Sequence, residues 1–249
     1  MTLHVAVDGP VARLSLDRPG ALNALDRAAA AALEDALERL RQDPAVSVVI
    51  LSGRGRSFCA GNDITEMPDL DAAEAEVLSL RWQAIVDGFA RLPQVTIAAV
   101  RGHALGGGCM LAAAQDLRVA EASARFGLPE VGLGFNPSYG ISRLLDLLGG
   151  AHARDLLLTG RVVDAAEAFR MGLVTRVVSD GALDEETDAL ANAIAQHPRG
   201  GLAATKAIVA ALRSGRPGNE AQAYAASLRS DAETRARIAA FVARRRGAR

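Results

Sequence analysis

The sequence predicts an α/β fold, in which strands and helices alternate along most of the chain and a helical region follows. Two continuous apolar runs, residues 46–51 and 95–100, are typical of strands buried on both faces of a parallel sheet. Each run ends in a glycine-containing segment and leads into a helical pattern, as in right-handed βαβ units. After about residue 178 the pattern is almost wholly helical.

The first elements follow from short apolar runs and from turn residues. Residues 3–7 and 11–16 are β-type runs separated by the Asp-Gly-Pro sequence at 8–10, which predicts a hairpin. Residues 27–41 keep a helical spacing of apolar side chains, and Asp26 is a suitable N-cap.

The remaining elements continue the alternation and then the helical region. A second helix is predicted over residues 69–91, where Pro93 stops it. Residues 107–114 should begin a third helix, and residues 117–120 should form another strand. The later helices are predicted over residues 182–196, 200–213, 219–230 and 231–246.

Composition limits the classes of protein. The chain has 249 residues, and we expect an α/β core at residues 1–190 and a helical region at residues 191–249. The formal net charge of −1 gives no electrostatic footprint for nucleic acid or an anionic membrane. Two cysteines, no signal-peptide pattern and no apolar run of about eighteen residues indicate a reducing, cytoplasmic setting.

Two glycine-bearing segments carry the main functional signal. One is residues 57–64, SFCAGNDI, and the other is residues 102–110, GHALGGGCM. Glycine lets a ligand approach the backbone at a turn. Two converging backbone N–H groups stabilise negative charge on a carbonyl oxygen, which is how an oxyanion hole works.

Further segments accompany these two motifs in the same order. They are VARLSLDRP at 11–19, LNAL at 22–25, FGLPEV at 126–131, LLTGR at 157–161, AAEA at 165–168, GLV at 172–174 and IAAFV at 238–242. Together they make the sequence resemble the crotonase superfamily, also called the enoyl-CoA hydratase/isomerase family. The resemblance implies a crotonase-like spiral of ββα units with a C-terminal helical trimerisation region. It also implies a homotrimer or dimer of trimers that acts on a CoA thioester, with no cofactor beyond the CoA moiety of the substrate.

The resemblance assigns roles to individual residues. The oxyanion donors correspond to the backbone N–H groups of Asn62 and Gly107. Ala60, Asp63 and Ile64 correspond to positions that line the CoA adenine pocket through backbone groups. The other glycines implied in substrate binding are Gly61 and Gly106.

Glu130 is the candidate acid/base. A thioester α-proton is far less acidic than a carboxylic acid, so a carboxylate base needs oxyanion donors to stabilise the enolate. Pro129 restricts the backbone before Glu130, and the apolar neighbours Leu128 and Val131 favour a raised pKa of its carboxyl group. A Pro-Glu pair alone is typical of a helix start with a surface carboxylate. The family-like segments around it favour a catalytic role for Glu130.

Two departures from the family favour isomerisation over hydration. Hydratases of the family hold a water with two glutamates, and Met110 stands at the second position, where it faces the acyl group or fills the core. Residues 136–144 are one residue shorter than the corresponding hydratase segment. Within them, Tyr139 either enters the pocket as an acid or hydrogen-bond donor, or packs with its hydroxyl at the surface.

A third departure concerns the CoA phosphates. Gly20 stands near a position where related sequences often carry a charged residue. Lys206 and an arginine at 244 or 245 are candidates to supply that charge, and the alternative is that they are ordinary exposed cations.

Two classes of function remain open from the sequence. The first is an acyl-CoA enzyme that works through an oxyanion-stabilised enolate, with isomerase chemistry ahead of hydratase, decarboxylase or hydrolase chemistry. The second is an acyl-CoA-binding protein without catalysis. The presence of Glu130 favours the enzyme.

Overall fold

The chain forms two sheets surrounded by helices. The computed structural model describes residues 2–66, 70–230 and 232–247. The strands, in chain order, are β1 Leu3–Asp8, β2 Val11–Leu16, β3 Val48–Gly53, β4 Val95–Val100, β5 His103–Leu105, β6 Leu117–Glu121, β7 Arg125–Gly127, β8 Val162–Asp164 and β9 Arg176–Val178. The larger sheet has the order β1-β2-β3-β4-β6-β9, and the smaller has the order β5-β7-β8.

The larger sheet is parallel except at one edge. The predicted hairpin is confirmed: β1 and β2 are antiparallel, with Leu3 opposite Leu16. From β2 onward every neighbouring pair is parallel. Val48 and Val49 in β3 are fully buried, as expected for a strand covered on both faces. The carboxyl ends of β3 and β4 therefore meet at one edge, where both glycine motifs begin.

The helices follow the strands. They are α1 Arg27–Gln42, α2 Ala72–Arg91, α3 Gly107–Ala113, α4 Ile141–Thr159, α5 Ala165–Met171, α6 Leu183–Ala195, α7 Arg199–Arg213, α8 Glu220–Ser230 and α9 Ala232–Gly247. The Asp26 carboxylate accepts from the Ala29 N–H at 2.7 Å, which confirms it as the α1 N-cap. Asp71 is the N-cap of α2 and forms a capping box with Glu74, so α2 begins at Ala72 and not at residue 69 as predicted. Asp69 itself lies outside the described residues.

Helices cover both faces of the larger sheet. On one face α1 and α2 pack into the main core, where Phe89 of α2 joins inner side chains of the strands such as Leu14 and Leu51. On the other face α6 places Leu183 and Leu190 against a second apolar cluster from the strands. The sheet whose carboxyl-end edge carries the glycine motifs is thus packed against helices on both faces.

Three features depart from the predicted elements. β3 begins at Val48 rather than at residue 46, because the Ser47 and Val48 N–H groups both donate to the Pro10 carbonyl as the chain enters the sheet. The smaller sheet was not predicted, since its strands have three residues each. α4 was not predicted either, and it contains a break at Gly149, where φ is +66°. Among the described residues, no helix is long and apolar enough to cross a membrane.

Candidate active site

One cavity of about 380 Å³ lies beyond the carboxyl ends of β3 and β4. Its walls come from the two glycine motifs, from α2 and from the segment after β7. The lining residues are Leu25, Ala60, Gly61, Asn62, Asp63, Ile64, Glu66, Leu70, Ala75, Leu78, Ser79, Gly106, Gly107, Met110, Pro129, Glu130, Leu133, Phe135, Asn136, Pro137, Ser138 and Tyr139. This size suits a small ligand group held in a largely apolar pocket.

The backbone of the first motif presents the Asn62 N–H to this cavity. Leu25 pairs with Asn62 in an isolated parallel bridge, in which the Leu25 N–H donates to Gly61 O and the Asp63 N–H donates to Leu25 O. Because alternate residues of an extended strand direct their N–H groups to opposite sides, the Asn62 N–H faces away from Leu25. Within the described part of the chain it donates to no other residue.

An N-terminal loop fixes this conformation. The Asn23 side-chain amide is 2% exposed and donates to Ser57 O at 2.8 Å. Arg18 forms an ion pair with Asp63, with 3.0 Å between Nη2 and Oδ2. The Thr65 hydroxyl and then the Arg18 guanidinium lower the pKa of Asp63, against the opposing effect of burial. The LNAL segment of the sequence therefore supports the first motif through Asn23 and also places Leu25 in the cavity wall.

The second motif lies directly against the first. The Cys59 N–H donates to His103 O at 2.9 Å, and the Leu105 N–H donates to Cys59 O at 3.0 Å. Gly107 is the first residue of α3, and its N–H has no acceptor among the described residues. A β-carbon on Gly61 would lie 3.4 Å from the Gly107 nitrogen, so the two motifs meet beside this N–H group. The two available donors thus share one end of the cavity.

Glu130 lies beside these donors. It follows β7, in a 3-10 turn that begins at Pro129. Its Oε1 lies over Gly106, where a β-carbon would be only 2.8 Å away. Its Oε2 is buried and has no hydrogen-bond partner among the described residues. Burial raises the pKa of the Glu130 carboxyl group above its ordinary value of 4.5.

Tyr139 and Met110 complete the inner wall. The Tyr139 hydroxyl donates to Asn62 Oδ1 at 2.5 Å, so it enters the cavity instead of reaching the surface. Met110 is 2% exposed and packs against Gly140, where a β-carbon would lie 3.0 Å from its Sδ. Met110 therefore both lines the cavity and fills the core. The structure supports its packing in the core, and its contact with an acyl group stays a prediction.

The structure brings all the residues assigned from the sequence to this one cavity. They are Ala60, Gly61, Asn62, Asp63, Ile64, Gly106, Gly107, Met110, Glu130 and Tyr139. Sequence reasoning missed the contributions of Leu25, Ser79 and Ser138, because no local pattern distinguishes them from ordinary helix or loop residues. Only the position of Leu25 within the LNAL segment could have indicated it.

One expectation about a polar residue near the site is wrong. Lys206 is neither free for a CoA phosphate nor exposed: it is buried, pairs with Asp116 at 2.6 Å and donates to Gln94 O at 2.8 Å. Two other side chains near the glycine motifs differ in exposure. His103 is exposed at the start of β5, whereas Trp82 of α2 is 1% exposed and stacks on Tyr139.

The arginine candidates for contact with the CoA phosphates, Arg244 and Arg245, both lie in α9. Arg244 is exposed near the end of α9, and nothing described links it to the cavity. The side chain at 245 lies outside the described residues.

Two free backbone donors and one buried carboxyl group around an apolar cavity are the elements of an oxyanion-stabilising active site. Comparison with known proteins agrees with this class. The family model for enoyl-CoA hydratase/isomerase matches residues 7–246. The chain therefore belongs to the enoyl-CoA hydratase/isomerase family, the crotonase superfamily, and is an enzyme of the lyase or isomerase class.

Individual relatives support the assignment. The chain is 42% identical over 186 residues to a crotonyl-CoA hydratase of Syntrophomonas wolfei, covering 74% of this chain and 72% of that protein. It is 39% identical over 189 residues to a short-chain-enoyl-CoA hydratase of Clostridium acetobutylicum, covering 75% and 72%. Among solved structures, an enoyl-CoA hydratase from Bacillus anthracis superposes with a TM-score of 0.91 at 31% identity, over 98% of this chain and 97% of that chain. The crotonase fold with its C-terminal helical region is thus confirmed.

Proposed function

We propose that this enzyme binds an acyl-CoA thioester, stabilises its enolate with the backbone N–H groups of Asn62 and Gly107, and moves a proton with Glu130. Double-bond isomerisation is the reaction that this arrangement favours. The observation that carries the proposal is the position of one buried, unpartnered carboxyl oxygen in the same cavity as two unpaired backbone donors.

The backbone donors supply the stabilisation that the base lacks. In other enzymes, removing one oxyanion-hole donor costs about 3–4 kcal/mol of transition-state stabilisation. Gly107 has no side chain because its β-carbon position is already filled: a β-carbon there would lie 2.1 Å from Asn62 Oδ1 and 2.1 Å from the Tyr139 hydroxyl oxygen. The thioester oxygen would therefore accept from both Asn62 and Gly107 as negative charge develops on it.

Glu130 has the environment of a general base. Burial raises the pKa of the Glu130 carboxyl group, which brings the basicity of the carboxylate closer to that needed for a carbon acid. Its Oε2 has no protein partner that would compete for a substrate proton. Glu130 would take the proton from C2 and return it to C4.

The cavity wall contains two other acidic groups, Asp63 and Glu66. Asp63 is held by Arg18 and by Thr65, and Glu66 lies in the 3-10 turn on the side of the first motif. Met110 cannot accept a proton or orient a water. A single carboxyl group is sufficient for a proton shuttle, whereas hydration in this family uses two.

Hydration is the second candidate reaction, and the relatives favour it, because the proteins compared above are named hydratases. Decarboxylase or hydrolase chemistry uses the same enolate or oxyanion and rests on the family alone. A non-catalytic acyl-CoA-binding protein would leave the buried Glu130 carboxyl group without a use.

The CoA moiety and the assembly are part of the same proposal. Ala60, Asp63 and Ile64 line the cavity towards its mouth and would contact the adenine through backbone groups. No cofactor beyond the CoA moiety is required by this chemistry. The exposed apolar side chains of α9, including Ile238 and Phe241, suit the trimerisation region expected from the family, in a homotrimer or dimer of trimers. A cytoplasmic location remains a prediction.

A parallel assay of 2-enoyl-, 3-enoyl- and malonyl-type CoA thioesters tests the proposal. We expect turnover of the 3-enoyl thioester to exceed that of the other two, and we expect Glu130→Gln to abolish it. Faster turnover of the 2-enoyl thioester by hydration would select the second candidate. Binding without turnover of any of the three would select the non-catalytic alternative.

A further inference from the structure

One face of α2 holds three consecutive residues of the segment after Glu130, residues 138–140. Ser79, Trp82 and Gln83 share this face because residues three and four apart are neighbours on a helix. Ser79 Oγ donates to the Ser138 carbonyl oxygen at 2.8 Å. Gln83 Oε1 accepts from the Gly140 N–H at 2.9 Å. The Trp82 ring stacks on the Tyr139 ring, with centroids 6.2 Å apart and planes at 21°.

The residue at the centre of this contact is Tyr139. Its side chain is 5% exposed, and its ring is fixed between Trp82 and the cavity. A β-carbon on Gly107 would lie 2.1 Å from the Tyr139 hydroxyl oxygen and 2.1 Å from Asn62 Oδ1. The hydroxyl and the amide oxygen therefore fill the space directly over Gly107, and α2 prevents the ring from moving away from it.

The protonation state of Tyr139 is also fixed. Burial, with smaller contributions from Cys59 and Glu130, raises the pKa of the Tyr139 hydroxyl above its ordinary value. The hydroxyl stays protonated at neutral pH and donates to Asn62 Oδ1. It cannot serve as a base that would activate a water.

Hydration and isomerisation make different demands on this space. Hydration breaks the C2=C3 π bond and one O–H bond of water and forms a C3–O bond and a C2–H bond, so a water must fit and be oriented beside C3. Isomerisation only moves one proton from C2 to C4 through Glu130. A water needs room beside C3, and the Tyr139 ring and hydroxyl, together with the Met110 thioether, occupy this wall of the cavity.

We propose that Tyr139, positioned by Ser79, Trp82 and Gln83, is a specificity-determining residue that excludes the attacking water from C3 and so directs the enzyme to isomerisation. The inference rests on the proposed function, since it concerns the fate of the acyl group bound between Glu130 and the backbone donors. It assigns to α2 a role in reaction specificity as well as in packing.

The ratio of hydration to isomerisation tests this inference, because the ratio does not depend on the fraction of folded enzyme. It is measured on one preparation with a 2-enoyl and a 3-enoyl thioester. Tyr139→Ala, which opens the space, should raise the ratio at least about tenfold. Tyr139→Phe, which keeps the ring and the stack, should change it by less than about threefold. Tyr224→Phe, on the exposed surface of α8, is the matched control.

The positioning role of α2 has its own variants. Gln83→Met removes the acceptor for the Gly140 N–H with little change in length, and it should raise the ratio in the same direction as Tyr139→Ala. Gln83→Glu keeps an acceptor oxygen and should restore the wild-type ratio. Gln42→Met, at the exposed end of α1, is the control for the substitution itself.

The outcomes separate this inference from the proposed function. An unchanged ratio in Tyr139→Ala, with isomerisation still present, overturns the inference and leaves the proposed function intact. If Tyr139→Ala does not fold, an unchanged ratio in Gln83→Met overturns it instead. A wild-type enzyme that isomerises no 3-enoyl thioester contradicts the proposed function, and the inference with it.

Discussion

Glu130 Oε1 lies directly over the α-carbon of Gly106, so close that a β-carbon at Gly106 would be 2.8 Å from it. Gly106 also has φ of +53°, a conformation that residues with a β-carbon rarely adopt. The glycine before the oxyanion donor thus has two tasks. It turns the chain into α3, and it leaves room for the carboxyl group that faces the donors.

Gly106→Ala should impair catalysis more than folding. The added methyl group would displace the flexible end of Glu130, and a misplacement of about 1 Å can cost about 10²-fold in rate. The strained φ should also lower stability by about 1–3 kcal/mol. Isomerisation rates and thermal unfolding measure the two effects. Gly20→Ala is the matched control, since a β-carbon there has nothing within 4 Å.

Glu130→Gln should make the protein more stable at neutral pH while removing its activity. Burial raises the pKa of Glu130 in the folded state, so the folded protein binds this proton more tightly than the unfolded chain does. The protonated form stabilises the fold fully below the unfolded pKa, and this contribution is lost as pH rises through the folded pKa. A neutral glutamine avoids the loss. Each kcal/mol gained should raise Tm by about 2–4 °C.

The pH dependence of the same pair of proteins provides the check. The stability advantage of Glu130→Gln over wild type should disappear as pH falls below the ordinary carboxyl pKa of 4.5. Wild-type turnover should fall as pH drops through the raised pKa, since the base must be ionised. An advantage that persists unchanged at low pH would show that the carboxyl group is not desolvated.

Met110→Glu should increase hydration relative to isomerisation. It places a second carboxyl group at the inner wall, at the position where hydratases of the family carry one. Because residue 110 is only 2% exposed, this carboxyl group should also lower Tm and have a raised pKa. Met110→Gln, which adds polarity without a titratable group, is the control. Equal ratios in the two variants would mean that the second carboxyl group does not act on water.

Lys206→Met should lower stability and leave CoA binding unchanged. Lys206 is the sequence's only lysine, and it holds α7 to the core through Asp116 and the Gln94 carbonyl. Removing one partner of a fully buried ion pair costs about 3–5 kcal/mol, and the cost here should be smaller because the Asp116 side chain is 24% exposed. Thermal unfolding and the KM for the thioester measure the two outcomes. Arg39→Met, at an exposed position of α1, is the control. A raised KM with unchanged Tm would restore the phosphate-binding role first expected from the sequence.

Much of the fold was predictable because local signals agreed with the tertiary structure. β4 has the predicted bounds, since Pro93 precedes its apolar run and Gly102 follows it. The N-cap of α1 was predicted because Asp26 needs only the N–H of Ala29, three residues away. Strands of the smaller sheet have no comparable signal, because three-residue strands are defined only by their partners in distant parts of the chain.

The site was predictable in its residues and less so in its contacts. The glycine motifs were assigned from the sequence because backbone chemistry requires glycine at particular positions. Glu130 was assigned because its segment, FGLPEV at 126–131, resembles the family. The neighbours of Tyr139 were not, since Trp82 and Gln83 come from a helix whose inner face follows no transferable rule. Lys206 was misjudged for the same reason: the sequence around a lysine in a helix does not show that a carboxylate such as Asp116 lies opposite it.

Exchange of the C2 proton of a saturated acyl-CoA in deuterated buffer tests the central claim most directly, because it needs only the donors and the base. We predict that the wild-type protein incorporates deuterium at C2 and that Glu130→Gln does not, while both bind the thioester. Incorporation by Glu130→Gln at the wild-type rate, or none by the wild-type protein, would contradict the account.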